Sequence, residues 1–289
     1  MKRTLSFITL AAVWVLFTAA GSAGDRRGPE NLPLPGTRGV TGSVFWPFPK
    51  ERGTYQAKRA DTGERLWAVR WETTVVPQKE GVLVEILEEG SGTPWRQPEP
   101  IRWQKRMVLL SERTREVDPP LLFQSLTGTR WDRQGKVLSE LEIRADSAKR
   151  EVFYRDVDQQ KQVSRTLGWT AQMLPDELLF HWARSLPFDR LIRREPVGFT
   201  LLLSPTRQFQ IQALFRSKEK ITTPAGSFSC YRINLVPRLL GPLKKLAPEI
   251  SLWCTDLPPY HWVRYQGPAG GPGSPQAIIE LVKFEQSEN

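Results

Sequence analysis

In Trp67-Ala68-Val69-Arg70-Trp71-Glu72-Thr73 the large apolar side chains fall at every second position, with Arg70 and Glu72 between them. Side chains alternate faces along an extended chain, so this spacing makes a strand with one buried face. The pattern recurs in short runs at 82–88, 102–111, 121–131, 137–145, 150–156, 162–167, 199–204, 207–217, 219–223, 227–236, 250–254, 261–266 and 276–285. So many short strands with so little helix between them argue against a parallel α/β sheet. They predict a mainly β fold, one large antiparallel sheet that curls into an open or half barrel.

One segment breaks the period of two. In Pro175-Asp176-Glu177-Leu178-Leu179-Phe180-His181-Trp182-Ala183-Arg184-Ser185-Leu186 the apolar residues Leu178, Leu179, Trp182 and Leu186 share a helical stripe. Proline is tolerated in a first helical turn, the acids Asp176 and Glu177 suit the positive end, and Pro187 stops the helix. The spacing predicts an amphipathic helix over 175–186, with its stripe against the concave face of the sheet. Pro224-Ala225-Gly226 reads as a hairpin corner: proline presets the second turn position and glycine supplies a positive φ. A phosphate-cradling loop would carry more glycines and open into a helix, whereas this one opens into Phe228-Ser229-Cys230-Tyr231.

The flanks set the compartment. Residues 1–23 begin with Lys2-Arg3, continue with an apolar run from Leu5 to Ala20 and end in small residues, the pattern of a cleaved secretory signal. A membrane anchor is the competing reading, but the run falls short of the roughly 20 residues a bilayer core needs. No cysteine stands near the cleavage site, so the expectation is a periplasmic protein without a lipoprotein's lipid or a transmembrane segment. Residues 24–50 form a proline-rich arm, and 51–289 a single curved β domain. Loss of Lys2 and Arg3 lowers the formal charge from +10 to +8. That balance serves solubility, and no nucleic-acid recognition motif accompanies it. A basic loop over 237–247, carrying Arg238, Lys244 and Lys245, is a candidate docking surface for an envelope protein or anionic head groups.

Cys230 and Cys254 are the two cysteines, and an oxidising compartment makes them a natural pair. If Leu235 lies near Ile250 in paired strands, Cys230 falls almost opposite Cys254. A slip of one residue would put the side chains on opposite faces, so a disulfide and two buried free thiols both stay open.

The stretches ITTPAGSFSCYRINLVP, ISLWCTDLPPYHWVRYQGP and AIIELVKFE resemble the ending of the domain-of-unknown-function 3108 family of exported bacterial proteins. The resemblance covers residues 219–285 and rests on turn and packing motifs. It implies a curved β-sheet domain, with a more distant architectural likeness to periplasmic lipoprotein carriers. It assigns no activity, and it does not bear on Cys230 or Cys254.

Catalytic signals are sparse. His181 stands four residues after Glu177, helix-neighbour spacing that reads as a surface pair. His261 follows the Asp256-Leu257-Pro258-Pro259 corner, which places Asp256 within reach, yet there is no Gly-x-Ser-x-Gly elbow. The two cysteines and two histidines lack close-paired zinc spacing, and neither a metal nor a cofactor is expected. Glu88-Glu89 beside Gly90 reads as a hydrated turn. The ten tryptophans beyond Trp14 of the signal are the richer signal. They either fill a wide interior or line an apolar groove. The expected function is a non-enzymatic binding or carrier protein for an apolar or amphipathic envelope molecule. Trp67, Trp71, Leu178 and Trp182 would line its ligand site, with Arg184 near the mouth. An envelope scaffold with a filled core is the alternative, and an exported hydrolase the third.

Overall fold

The computed structural model describes residues 50–287 apart from 79–80, 95–96, 113–120, 159–160, 171, 239–248 and 270–273. The signal segment, all but the last residue of the arm, and most of the basic loop 237–247 lie outside the described residues.

Alternation builds the elements. The strands are β1 Lys50–Arg59, β2 Arg65–Gln78, β3 Gly81–Gly92, β4 Ile101–Glu112, β5 Leu121–Trp131, β6 Val137–Asp146, β7 Glu151–Asp158 and β8 Gln162–Gly168. After the helical segment's entry strand β9 (Met173–Pro175) come β10 Val197–Ser204, β11 Arg207–Thr223, β12 Gly226–Pro237, β13 Ile250–Thr255, β14 Trp262–Pro268 and β15 Gln276–Ser287. They form one sheet in the order β8-β7-β6-β5-β4-β3-β2-β1-β15-β14-β13-β12-β11-β10-β9. Every neighbouring pair is antiparallel except β9 and β10.

The chain therefore starts mid-sheet, zigzags out to one edge at β8, crosses to the opposite edge at β9, and zigzags back until β15 pairs with β1. Among the described residues β8 and β9, consecutive in the chain, are the two outer strands of the sheet, which curls without closing. Its inner residues meet in one core that draws on strands from both halves, Ile86, Met107, Phe123 and Val152 from one and Phe199, Ile211, Leu252 and Ile279 from the other.

Several details differ from the sequence expectation. β1 carries Glu51, Gly53, Tyr55 and Ala57 on its buried face, a set too mixed in polarity to read as an apolar alternation. The runs 207–217 and 219–223 are one long strand, β11, with a register shift between Phe215 and Ser217. At its end Thr223 pairs with Gly226, so Pro224 and Ala225 alone form the corner, and Gly226 has the positive φ of 131° that the turn requires.

The strand register also decides the cysteines. Leu235 does lie opposite Ile250, but Cys230 faces Thr255 and Cys254 faces Tyr231. Both thiols are free and buried. Cys254 points into the main core, while Cys230 packs with Ile221, Trp253 and Val263 in a small cluster on the other face. Of the two readings left open, the free buried thiols hold, because the one-residue offset puts the cysteines on opposite faces.

Asp176–Leu178, Leu179–Trp182 (α1) and Ala183–Ser185 run on as one helical segment, 176–185, of mixed 3-10 and α character. A second short helix, α2, follows at Phe188–Ile192. The segment keeps its apolar stripe, with Leu178, Leu179 and Trp182 buried in the main core. Its polar residues Asp176, Glu177, His181 and Arg184 are buried as well. It is a plug inside the curl and has no solvent face.

Candidate functional site in the sheet interior

Neighbouring strands place three rows of inward side chains across the sheet. One row runs Gly53–Trp71–Glu88–Lys105–Gly128–Leu141–Asp156 through direct cross-strand partners. The next runs Tyr55–Val69–Gly90–Trp103–Arg130, and the third Ala57–Trp67–Gly92–Ile101. Glu88, Lys105 and Arg130 each continue an inner-face alternation that is apolar further along its strand, as with Val84 and Ile86 before Glu88. The glycines have a purpose in this layout. A Cβ on Gly90 would lie 2.1 Å from the Trp103 ring and one on Gly53 would lie 2.7 Å from the Trp71 ring, so their absence lets each indole lie across its neighbour strand.

Between these rows and the plug lies a cavity of about 80 Å³. Part of its lining is aromatic: Tyr55, Trp67, Trp103, Phe180 and Trp262. Trp67 and Trp103 meet edge to face at 6.1 Å, Phe180 stacks on Trp262 at 3.8 Å, and Tyr55 donates its hydroxyl to the Trp262 carbonyl at 3.0 Å. The rest of the lining is largely ionisable: Glu88, Lys105, Arg130, Asp176, Glu177 and His181. Lys105 reaches Glu88 at 3.3 Å, and His181 Nε2 lies 3.6 Å from the other Glu88 oxygen.

These surroundings split the carboxyls. Burial pushes Glu88 up, but Lys105 and His181 outweigh it and hold the group down at about 2, so it is ionised. Burial pushes Asp176 far above the usual carboxylate range, and the adjacent Glu177 adds to the effect. Among the described residues neither Asp176 oxygen accepts from a donor beyond residues 176 and 177. On the strand side, burial lifts Asp156 to about 7 against the pull of Arg130, while burial lowers Arg130 to about 10 against Glu177, Asp156 and Asp176.

At the far end of the plug Arg184 is also buried. It donates to Glu51 Oε2 at 2.7 Å and to the Pro259 carbonyl at 3.3 Å, and it touches His261 Nδ1. Burial and this guanidinium push His261 down to about 2, leaving it neutral. Asp256 does not join it, being paired with Lys218 at 2.5 Å and accepting from Ser229 at 2.9 Å.

Of the residues expected to line a ligand site, Trp67 borders the cavity. Trp71 packs behind it against Tyr55 and edge-on to His181, Leu178 is fully buried in the core, and Trp182 packs on Phe199. Arg184 ties the plug to β1 and stands at no mouth of the cavity. His181 meets Glu88 of β3, with which it shares the cavity. Glu88 and Glu89 sit within β3, with Glu88 turned inward. The signal that would have found Glu88 is the parity of Val82, Val84 and Ile86, which extends to residue 88.

Fold and site together define a class: an unclosed fifteen-strand curl around a buried helical plug, with a small aromatic and ionisable cavity beside the plug. No family model matches the chain, so membership of the family that residues 219–285 resemble is not shown. No curated protein sequence matches it. Solved structures similar to this chain include a β-barrel-like protein of domain of unknown function DUF1849 from Brucella abortus. It is 8% identical, with 83% of this chain and 98% of that one covered and a TM-score of 0.49. Another is a protein with YmcC-like fold from Bacteroides fragilis, 10% identical over 82% and 95% of the two chains, with a TM-score of 0.37. A third, from Parabacteroides distasonis and described as a lipoprotein, is 13% identical over 84% and 98%, with a TM-score of 0.33.

Proposed function

We propose that this is an exported binding protein that holds a small amphipathic molecule in the cavity beside the plug. One observation carries the reading: aromatic and buried ionisable side chains together line unfilled space. Ionisable groups are costly to bury next to a void unless something polar satisfies them, whereas an apolar filling would leave them stranded. The ligand is therefore two-faced, and an envelope scaffold with a filled interior fits the cavity poorly.

Size narrows the ligand further. A space of about 80 Å³ holds roughly half a dozen waters, whereas pockets for drug-sized ligands start near ~300 Å³. A small molecule, or the end group of a larger one, is the matching cargo; a whole acyl chain is not.

The test is chemical. Protein recovered from the periplasm of exporting cells is extracted with organic solvent and the extract read by mass spectrometry, beside the same preparation of Val69→Phe. Val69 is buried and borders the cavity, so the larger ring fills the space. A stoichiometric small molecule in the wild type and none in the folded variant is the expected outcome. The same extract from both proteins would refute the assignment to this cavity.

A further inference from the structure

We propose that the polar end of the ligand is a primary ammonium group received by Asp176 and Glu177, with Tyr55, Trp67, Trp103 and Trp262 around its organic part. The inference rests on the binding reading above and deepens it.

The first support is an acceptor short of donors. Asp176 is 2% exposed, borders the cavity, and among the described residues neither carboxyl oxygen accepts from a donor beyond residues 176 and 177. A buried acceptor left in this state costs free energy that a donor from the ligand would recover. A primary ammonium brings three N–H donors, whereas a quaternary ammonium brings none.

The second support is charge. Five carboxyls, Glu88, Asp156, Asp158, Asp176 and Glu177, stand against four bases, Lys105, Arg130, Lys161 and His181. Lys105 is engaged by Glu88, and Arg130 is shared among Glu177, Asp156 and Asp176. His181 turns toward Glu88, and the Tyr154 hydroxyl beside Arg130 stays neutral because burial raises it. Carboxyls therefore outnumber the bases that can neutralise them, and protons make up the difference. A cationic ligand takes the place of a proton, while an anionic one would add to the excess.

The third support is the aromatic lining. Indole and phenol faces attract cations and pack alkyl or aryl groups equally well. A metal ion is a poorer match, since among the described residues no three His, Cys, Asp or Glu side chains converge to hold one.

Free alkylamines and the ethanolamine head group of a lipid share this chemistry. The experiment is calorimetric titration of the purified full chain with n-butylammonium, with n-butanol and tetramethylammonium as controls. Butylammonium should bind about tenfold or more tighter than either control, and Asp176→Asn should lose about tenfold of that affinity. In the wild type, titration in buffers of different ionisation enthalpy should show proton release, and affinity should rise with pH while the amine stays protonated. That readout does not depend on how the variant folds. Vesicles bearing ethanolamine head groups, compared with choline head groups, assign the source: capture of the former points to a lipid, and binding of the free amine alone points to a soluble one. Equal binding of butanol and butylammonium would overturn the ammonium inference and leave the binding reading standing. Binding by none of the probes, together with a ligand-free extract, would remove both.

Discussion

Glu88 and Asp176 border the same cavity, and their surroundings shift the two carboxyls in opposite directions. The difference comes from neighbours: Lys105 and His181 stand against Glu88, whereas Asp176 is buried with another carboxyl, Glu177, beside it. Each group leaves its mark on stability as a function of pH. Glu88 is depressed from 4.5 to about 2, so its contribution is complete above 4.5 and is lost as pH falls through 2. Asp156 is raised from 3.8 to about 7, so the folded state favours its proton; stability from this group is complete below 3.8 and is lost as pH rises through about 7. Melting temperature followed by circular dichroism across pH should therefore show both limbs. Asp156→Asn should flatten the neutral limb, and Glu88→Gln should cost about 3 kcal/mol at neutral pH by stranding Lys105. An unchanged neutral limb in Asp156→Asn would contradict the assignment.

At the scale of elements the plug divides into two kinds of residue. Leu178, Leu179 and Trp182 were legible from helical spacing, because an apolar stripe reports the face that will be buried. Asp176 and Glu177 read as charges suited to the helix start, His181 as a surface partner of Glu177 and Arg184 as a residue near a cavity mouth, and nothing local says that all four are buried. What buries them lies far along the chain: Arg184 meets Glu51 across 133 positions, and His181 meets Glu88 of β3. The strands show the same limit. Alternation marks which positions of β3 and β4 face inward, yet an inward Glu88 or Lys105 looks like an interruption until its partner strand is known. The plug's apolar side yields a separable outcome. Trp182 is 2% exposed, packs at 4.8 Å from Phe199 and does not border the cavity. Trp182→Ala should lower unfolding free energy by about 3–5 kcal/mol in a denaturant titration and leave affinity per folded molecule unchanged. A loss of affinity with stability intact would place Trp182 in the ligand site instead.

Over the whole molecule, the antiparallel meander was readable and its circuit was not. Turn chemistry and alternation announce consecutive hairpins, but they are silent on β15 returning to β1, or on β8 and β9 standing as the outer strands of one sheet. The unclosed curl matters for function because the plug occupies the interior that a closed barrel of side chains would fill. Cavity, ionisable lining and plug are consequences of that one arrangement. Its most direct test is a crystal structure of the protein purified from exporting cells, at a resolution that separates water from organic density. The account requires non-water density in contact with the Asp176 carboxyl and flanked by Trp67 and Trp103. A closed interior, with both Asp176 oxygens bonded to protein groups and Trp103 filling the space, would contradict it.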